Sequence, residues 1–293
     1  MSSDLNANMA SQPAARASIP HSQDTSLLSQ RIPQELREEI YSYTFSEARL
    51  ASDRSEPLSD HRRVYETEPN TLALLKTCRR AKIEIGDRWV SQVQFWYDST
   101  TMLAKLSAVP REIVPKIRHV RLCLKSANPT CFLLTKSKDL RLDTFTLVSD
   151  YFNLGGVHYR MLDLLVRKGC GWKELHFLCS SGSLGFSYDP FLDAWSSPRS
   201  PQPADWQAAL EDRDGVSSHP SVTIFRATAG FLHRASNPDT REPFSQAVRE
   251  DEQSRESFSA TEDATLMADY VEEREILVVV KRGHGVDYTN NRG

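Results

Sequence analysis

No run of about 18 consecutive apolar residues occurs in this 293-residue chain, so no segment reads as a membrane-crossing helix. The first 25 residues lack the charged-then-apolar order of a secretory signal. Dense basic runs are also missing, and with 36 Lys and Arg against 39 Asp and Glu the net charge is -3. That balance leaves no global field to gather DNA or RNA. The five cysteines, Cys78, Cys123, Cys131, Cys170 and Cys179, form no C-x-x-C pair, and an odd number does not suit a disulfide framework. They read as reduced thiols packed as small hydrophobes. These absences point to a soluble intracellular protein, of the cytoplasm or nucleus or both, with neither membrane nor nucleic acid as a partner.

Recognisable catalytic machinery is equally scarce. No P-loop, kinase or zinc-finger spacing is present. Ser181-Gly182-Ser183-Leu184-Gly185 follows an expected strand, as a nucleophile elbow would, but Ser181 replaces the first glycine and Pro190 shortens any helix behind it. Gly283-His284-Gly285 also follows a strand, with too little chain after it for the helix that would hold a phosphate. His119 and His176 fall on the polar phase of their strands, and His158, His219 and His233 lie near loops or helix ends. None is paired at helical spacing with another metal ligand. Glu272, Glu273 and Glu275 read as a solvated helix end. The expectation is a non-enzymatic chain with no catalytic residues, cofactor or metal.

What is present begins with a hydrophobic content of 39%, enough for a core in part of the chain. Residues 1–24, rich in Ser, Ala, Asn and Gln, read as a disordered leader. Arg31 to Phe45 reads as a short helix, with Leu36, Ile40 and Tyr43 at i, i+4 and i+7 on one face. Pro33 suits its first turn, and Glu35 sits where the helix dipole favours an anion. A helix of roughly a dozen residues is not stable alone. Its apolar stripe must dock, either on the chain's own core or on a partner. Residues 47–68, charged and holding Pro57, read as a loop insertion. Thr71 to about Val90 reads as a single helix with Leu74, Leu75, Cys78, Ile85 and Trp89 along one side, followed by a strand from Val93 to Tyr97.

Beyond this point a helix-then-strand order recurs. A short helix over Thr101 to Ser107 precedes a strand over Arg118 to Lys125, in which Val120, Leu122 and Leu124 alternate with Arg121 and Cys123, as in a strand with unequal faces. Leu140 to Val148 reads as a second strand or a strand-to-loop segment. A helix over Gly155 to Lys168 is closed by Gly169 as a C-cap, and a strand follows over Lys173 to Cys179. After the Ser/Pro-rich stretch from Ser187 to Pro203 come a helix over Ala204 to Asp212 and a strand over Ser221 to Ala227. Arg234 to Thr261 reads as a disordered acidic loop. A helix over Thr265 to Glu273 leads to a strand over Glu275 to Lys281, whose Ile276 to Val280 run suits burial on both faces.

Parallel neighbours need crossovers, so this order implies an α+β or α/β fold: an N-terminal helical module, then helix-strand units forming a mixed, partly parallel sheet. A leucine-rich-repeat-like sheet is one version, ranked below a single irregular α/β domain because the L-x-x-L-x-L signature and its Asn are missing. The expected divisions are the leader at 1–24, the helical module at 27–92 with its insertion at 47–68, the α/β domain at 93–233, and the acidic loop at 234–261. A terminal helix and strand at 262–283 complete the domain, before a tail at 284–293.

Ile32-Pro33-Gln34-Glu35-Leu36, followed by Ile40 and Tyr43, resembles the L-P-x-E-L…I opening of an F-box, with Ile32 in the place of Leu. Leu72-Ala73-Leu74-Leu75-Lys76-Thr77-Cys78-Arg79-Arg80, followed by Glu84, Trp89 and the next strand, resembles the "LL-x-x-C-R-x…E" helix of a large group of fungal F-box-like proteins. Ile117-Arg118-His119-Val120-Arg121-Leu122 is similar to the strand that follows in that group. The resemblance covers residues 27–125, and residues 126–227 in general plan. It implies a protein-interaction role as a ubiquitin-ligase adaptor. The F-box docks on the Skp subunit of a cullin-based ligase, and the downstream domain holds a protein substrate, here unknown. The positions carried over as partner-binding are Pro33, Leu36, Ile40, Tyr43, Leu74, Leu75 and Cys78. The alternative is a fungal structural or regulatory protein whose degenerate F-box contacts no ligase, and a serine hydrolase is a remote third reading.

Overall fold

A computed structural model describes residues 30–46, 48–51, 72–98, 102–124, 139–149, 157–180, 187–189, 194–196, 203–227, 257–258 and 275–288. The leader at 1–24, the helix expected over Thr265 to Glu273 and the Ser181 to Gly185 turn lie outside these residues. The expected opening helix is α1, Gln34–Ser46, and it leads into a three-residue strand β1, Arg49–Ala51. That strand corrects the reading of 47–68 as a loop throughout: β1 pairs in parallel with β2, Gln94–Asp98, and so ties the helical module to the sheet.

The single helix expected over 71–90 is instead broken into α2, Ala73–Thr77, and α3, Arg79–Ile85, with a 3-10 turn at Arg88–Ser91. The break falls at Cys78, which is extended (φ -118°, ψ 102°) and whose sulfur accepts a hydrogen bond from the Ala81 amide at 3.4 Å. The thiol thereby takes the part of an N-cap for α3. Gly86, at φ 52°, ends α3 in a conformation that a side chain would disfavour.

The helix-strand order continues through α4, Met102–Ala108, and β3, His119–Leu124, to β4, Leu142–Ser149. Next come α5, Val157–Lys168, and β5, Trp172–Ser180. Short strands β6, Ser187–Asp189, and β7, Ala194–Ser196, pair with each other inside the Ser/Pro-rich stretch. Helix α6, Pro203–Asp214, precedes β8, Ser221–Ala227. β9, Ser257–Phe258, lies within the stretch expected as a disordered loop, and β10 is Glu275–Lys281.

The described residues form one mixed sheet of eight strands in the order β1-β2-β3-β4-β5-β10-β8-β9. β1 to β5 are parallel and step one place at a time, whereas β10 runs antiparallel between β5 and β8. Crossovers that share one hand and step the same way place their helices on one face of a parallel sheet. The core agrees. Val120, Leu122, Phe145, Leu147, Leu175, Phe177, Val278 and Val280 share one buried cluster with Met102, Leu162, Leu165, Val166, Trp206 and Leu210 from the helices. A smaller cluster around Phe45, Ala81, Ile85 and Val93 adjoins it, and Trp89 and Phe95 pack against both. Every residue from Ile276 to Val280 is buried, as the continuous apolar run suggests.

The opposite face corrects the reading of β3 as a strand with unequal faces. Arg121 and Cys123 are buried like their apolar neighbours. In register across the sheet, Trp96, Arg121, Thr146 and His176 form one buried row. The Arg121 guanidinium lies 4.4 Å from the Trp96 ring centroid, and the Trp96 indole donates to the Cys123 sulfur at 3.2 Å.

The end of β10 is clasped to α6. The Asp214 side chain is fully enclosed and accepts from Arg282 Nε and Nη2, both at 2.6 Å, and from the Gly283 amide at 3.0 Å. Burial alone would raise the Asp214 carboxyl, but the bonds from Arg282 and Gly283 bring it below its ordinary value. Neighbouring Arg213 donates to the Gly169 carbonyl at 3.0 Å, and burial pulls its pKa down to about 10. Gly169 does follow α5, but not as a left-handed cap: the positive-φ glycine nearby is Gly171. A Cβ at Gly169 would meet the Leu165 backbone oxygen and lie 2.8 Å from Trp172 Nε1, so close approach is what requires glycine there.

Candidate partner-docking site

Helix α1 has two dissimilar faces. Arg37, Tyr41 and Phe45, at i, i+4 and i+8, are its buried residues and define the side turned to the protein. Phe45 is fully enclosed in the smaller cluster, 6.4 Å from the Trp89 ring. Arg37 is the unusual member, a guanidinium only 5% exposed. Such burial requires a paired charge. Glu84 of α3 supplies it, accepting from Arg37 Nε at 3.0 Å and from Nη2 at 2.9 Å. Arg37 Nη1 also donates to the Ile32 carbonyl at 2.5 Å.

The same carboxylate collects further donors: the Tyr41 hydroxyl at 3.1 Å and Arg80 Nε at 2.9 Å. These bonds, that from Arg37 first, hold Glu84 far below the ordinary carboxylate range, at about 2. Arg37 is raised in turn, chiefly by its hydrogen bond to Glu84. Around this hub Arg88 Nη2 reaches Glu38 Oε1 at 3.3 Å and the Glu84 carbonyl at 2.6 Å. Two short helices far apart in sequence are thereby locked through one acid.

The other face of α1 is apolar and open. Leu36 is 51% exposed, Ile40 42% and Tyr43 69%, and Pro33 at the helix start is exposed as well. Leu74, Leu75 and Cys78 are placed differently: they are half-buried and pack against the smaller cluster. The seven residues expected to bind a partner therefore divide into four on an open face and three that support the module from within. Sequence reasoning missed Arg37 and Tyr41, although their spacing to Phe45 is helical, and met Glu84 only as a motif position.

Elsewhere the described residues offer less chemistry. His176 is buried with Nε2 2.7 Å from Glu174 Oε1, and burial lowers His119. His219 and His284 are exposed. The Gly283 amide is taken by Asp214 and the His284 amide by the Ser218 carbonyl at 2.7 Å. Among the described residues no group of three His, Cys, Asp or Glu side chains is placed to hold a metal ion, and no helix is long and apolar enough to cross a membrane. No family model, curated protein or solved structure matches the chain.

Proposed function

We propose that the protein is an F-box-like interaction protein whose α1 docks on a Skp-type adaptor of a cullin-based ubiquitin ligase, with the sheet domain holding a protein substrate. The observation that carries this reading is the orientation of α1. Its stripe of Leu36, Ile40 and Tyr43 stays open while the opposite face is fixed by Arg37, Tyr41 and Phe45. A rigidly held helix with an unpaired apolar face suits a partner's groove, where such stripes bury at about 25 cal/mol per Å² of apolar surface. In the same reading the in-order parallel strands β1 to β5 resemble those of a leucine-rich-repeat sheet, an architecture with extended binding surfaces. Affinity purification with mass spectrometry, comparing the native chain with Ile40→Asp, tests the proposal: the adaptor accompanies the first and is lost from the second.

A second reading has one observation in its favour. Trp89 and Phe95 pack against both core clusters, and β1 joins the module to the sheet, so α1 to α3 belong to the fold whether or not they bind a ligase. Under that reading, a structural or regulatory protein with a degenerate F-box, the purified chain brings down no adaptor.

A further inference from the structure

Most of the docking stripe sits on a half-helix with a single deep anchor. Between Gln34 and Ile40 the one buried residue is Arg37, and the half-buried Glu38 pairs with the exposed Arg88 at 3.3 Å. The apolar anchor Phe45 lies about two and a half turns from Leu36, beyond Tyr41. A helix this short does not hold its own shape in water. The attitude of Leu36 and Ile40 therefore depends on what Arg37 grips, and that is Glu84.

We propose that Glu84 is the positioning residue of the docking face: by gripping Arg37 and Tyr41 it sets the attitude in which Leu36 and Ile40 meet a partner, without touching that partner. This rests on the docking reading of α1. The geometry supports it in three ways. The Glu84 side chain is 14% exposed and directed at α1, so it offers little surface of its own. Its two oxygens engage the planar fork of Arg37, which fixes rotation as well as distance. Arg80, on the same helix four residues earlier, donates to Oε1 and braces the carboxylate from behind.

Replacing the carboxylate by an amide of the same shape leaves a buried guanidinium without its counter-charge, and the guanidinium must then leave for water. Phe45 keeps the far end of α1 docked, so the first two turns loosen while the sheet core stays intact.

The test uses the full chain with Glu84→Gln, and with Arg37→Lys, which keeps the charge but loses the fork. Amide hydrogen exchange and titration with a purified Skp-type adaptor are the two readouts. The expected result for Glu84→Gln is faster exchange at residues 37–40, whose amides are the first of α1 to be hydrogen-bonded, unchanged protection in β3 and β5, and affinity weakened by at least about tenfold. Arg37→Lys moves both readouts in the same direction by less. Unchanged exchange at 37–40, or unchanged affinity, overturns the proposal. If Glu84→Gln unfolds the whole domain, Arg37→Lys decides by the same two criteria. Failure of the native chain to bind defeats the docking reading instead, and the exchange pattern still decides whether Glu84 orients α1.

Discussion

Arg37 and Glu84 are joined by two hydrogen bonds, Nε to Oε2 at 3.0 Å and Nη2 to Oε1 at 2.9 Å, across 47 positions of sequence. A forked contact of this kind is stronger and more directional than a point-charge pair, and here it is largely shielded from solvent. It explains how a helix can turn Leu36 and Ile40 outward and still be held. The inward side of α1 is secured by charge at one end and by Phe45 at the other.

The ion pair carries a pH signature. Glu84 is held near 2 in the folded protein, against an ordinary value of 4.5. Because the folded pKa is depressed, the stabilisation is fully present above about 4.5 and is lost as pH falls toward about 2. The Arg37 Nε–H resonance, followed by NMR down this range, is expected to stay constant through pH 4.5 and to move only below it. A midpoint at the ordinary carboxylate value would contradict the pairing, and Glu84→Gln should abolish the transition.

Among the described residues Asp214 and Arg282 form the most enclosed ion pair, with side chains 0% and 3% exposed. Removing one partner leaves the other buried without compensation, so Asp214→Ala should cost about 3–5 kcal/mol in denaturant unfolding. Replacing both by apolar residues of similar volume should cost much less. A single-variant loss below about 1 kcal/mol, the level of an exposed pair, would mean that the clasp is not closed in solution.

Gly169 and Gly86 should respond to alanine for different reasons. At Gly169 the new methyl meets the Leu165 carbonyl oxygen and the Trp172 indole, an overpacking cost of about 1–3 kcal/mol. At Gly86 the space is open and the cost is conformational, about 1–3 kcal/mol for a side chain held at φ 52° and ψ -130°. Thermal unfolding checks both: each variant should melt below the native chain, and shortening Trp172 should not rescue Gly169→Ala, because the nearest atom there is the Leu165 backbone oxygen.

Much of the fold is legible where local pattern and tertiary role coincide. The strand at Glu275–Lys281 falls where the sequence places it, because an apolar run buried on both faces needs no partner to be recognised, and Ser221–Ala227 is legible from its β-branched and aromatic residues. β1 is not legible. Arg49–Ala51 is a strand only because β2 lies beside it. Nor does the pattern show the break at Cys78, where a sulfur caps the following helix. In β3 the alternation reveals two faces but not that Arg121 is stacked on Trp96 and enclosed. The order of the sheet is hidden too, since β10 inserts between β5 and β8 from the far end of the chain.

The candidate site follows the same logic. Leu36, Ile40 and Tyr43 are readable as a stripe from their spacing, but spacing alone does not say which way the stripe faces. The answer lies with Arg37, a residue type that a pattern search assigns to solvent and that is buried because Glu84 awaits it.

The most direct measurement is adaptor capture by the native chain and by Ile40→Asp, made together with an unfolding curve for each. Ile40 is 42% exposed, so the substitution should leave stability within about 0.5 kcal/mol, as for other surface changes. The native chain is expected to retain the Skp-type adaptor, and Ile40→Asp, equally stable, to lose it. Capture of equal amounts by both chains, or by neither, would contradict it.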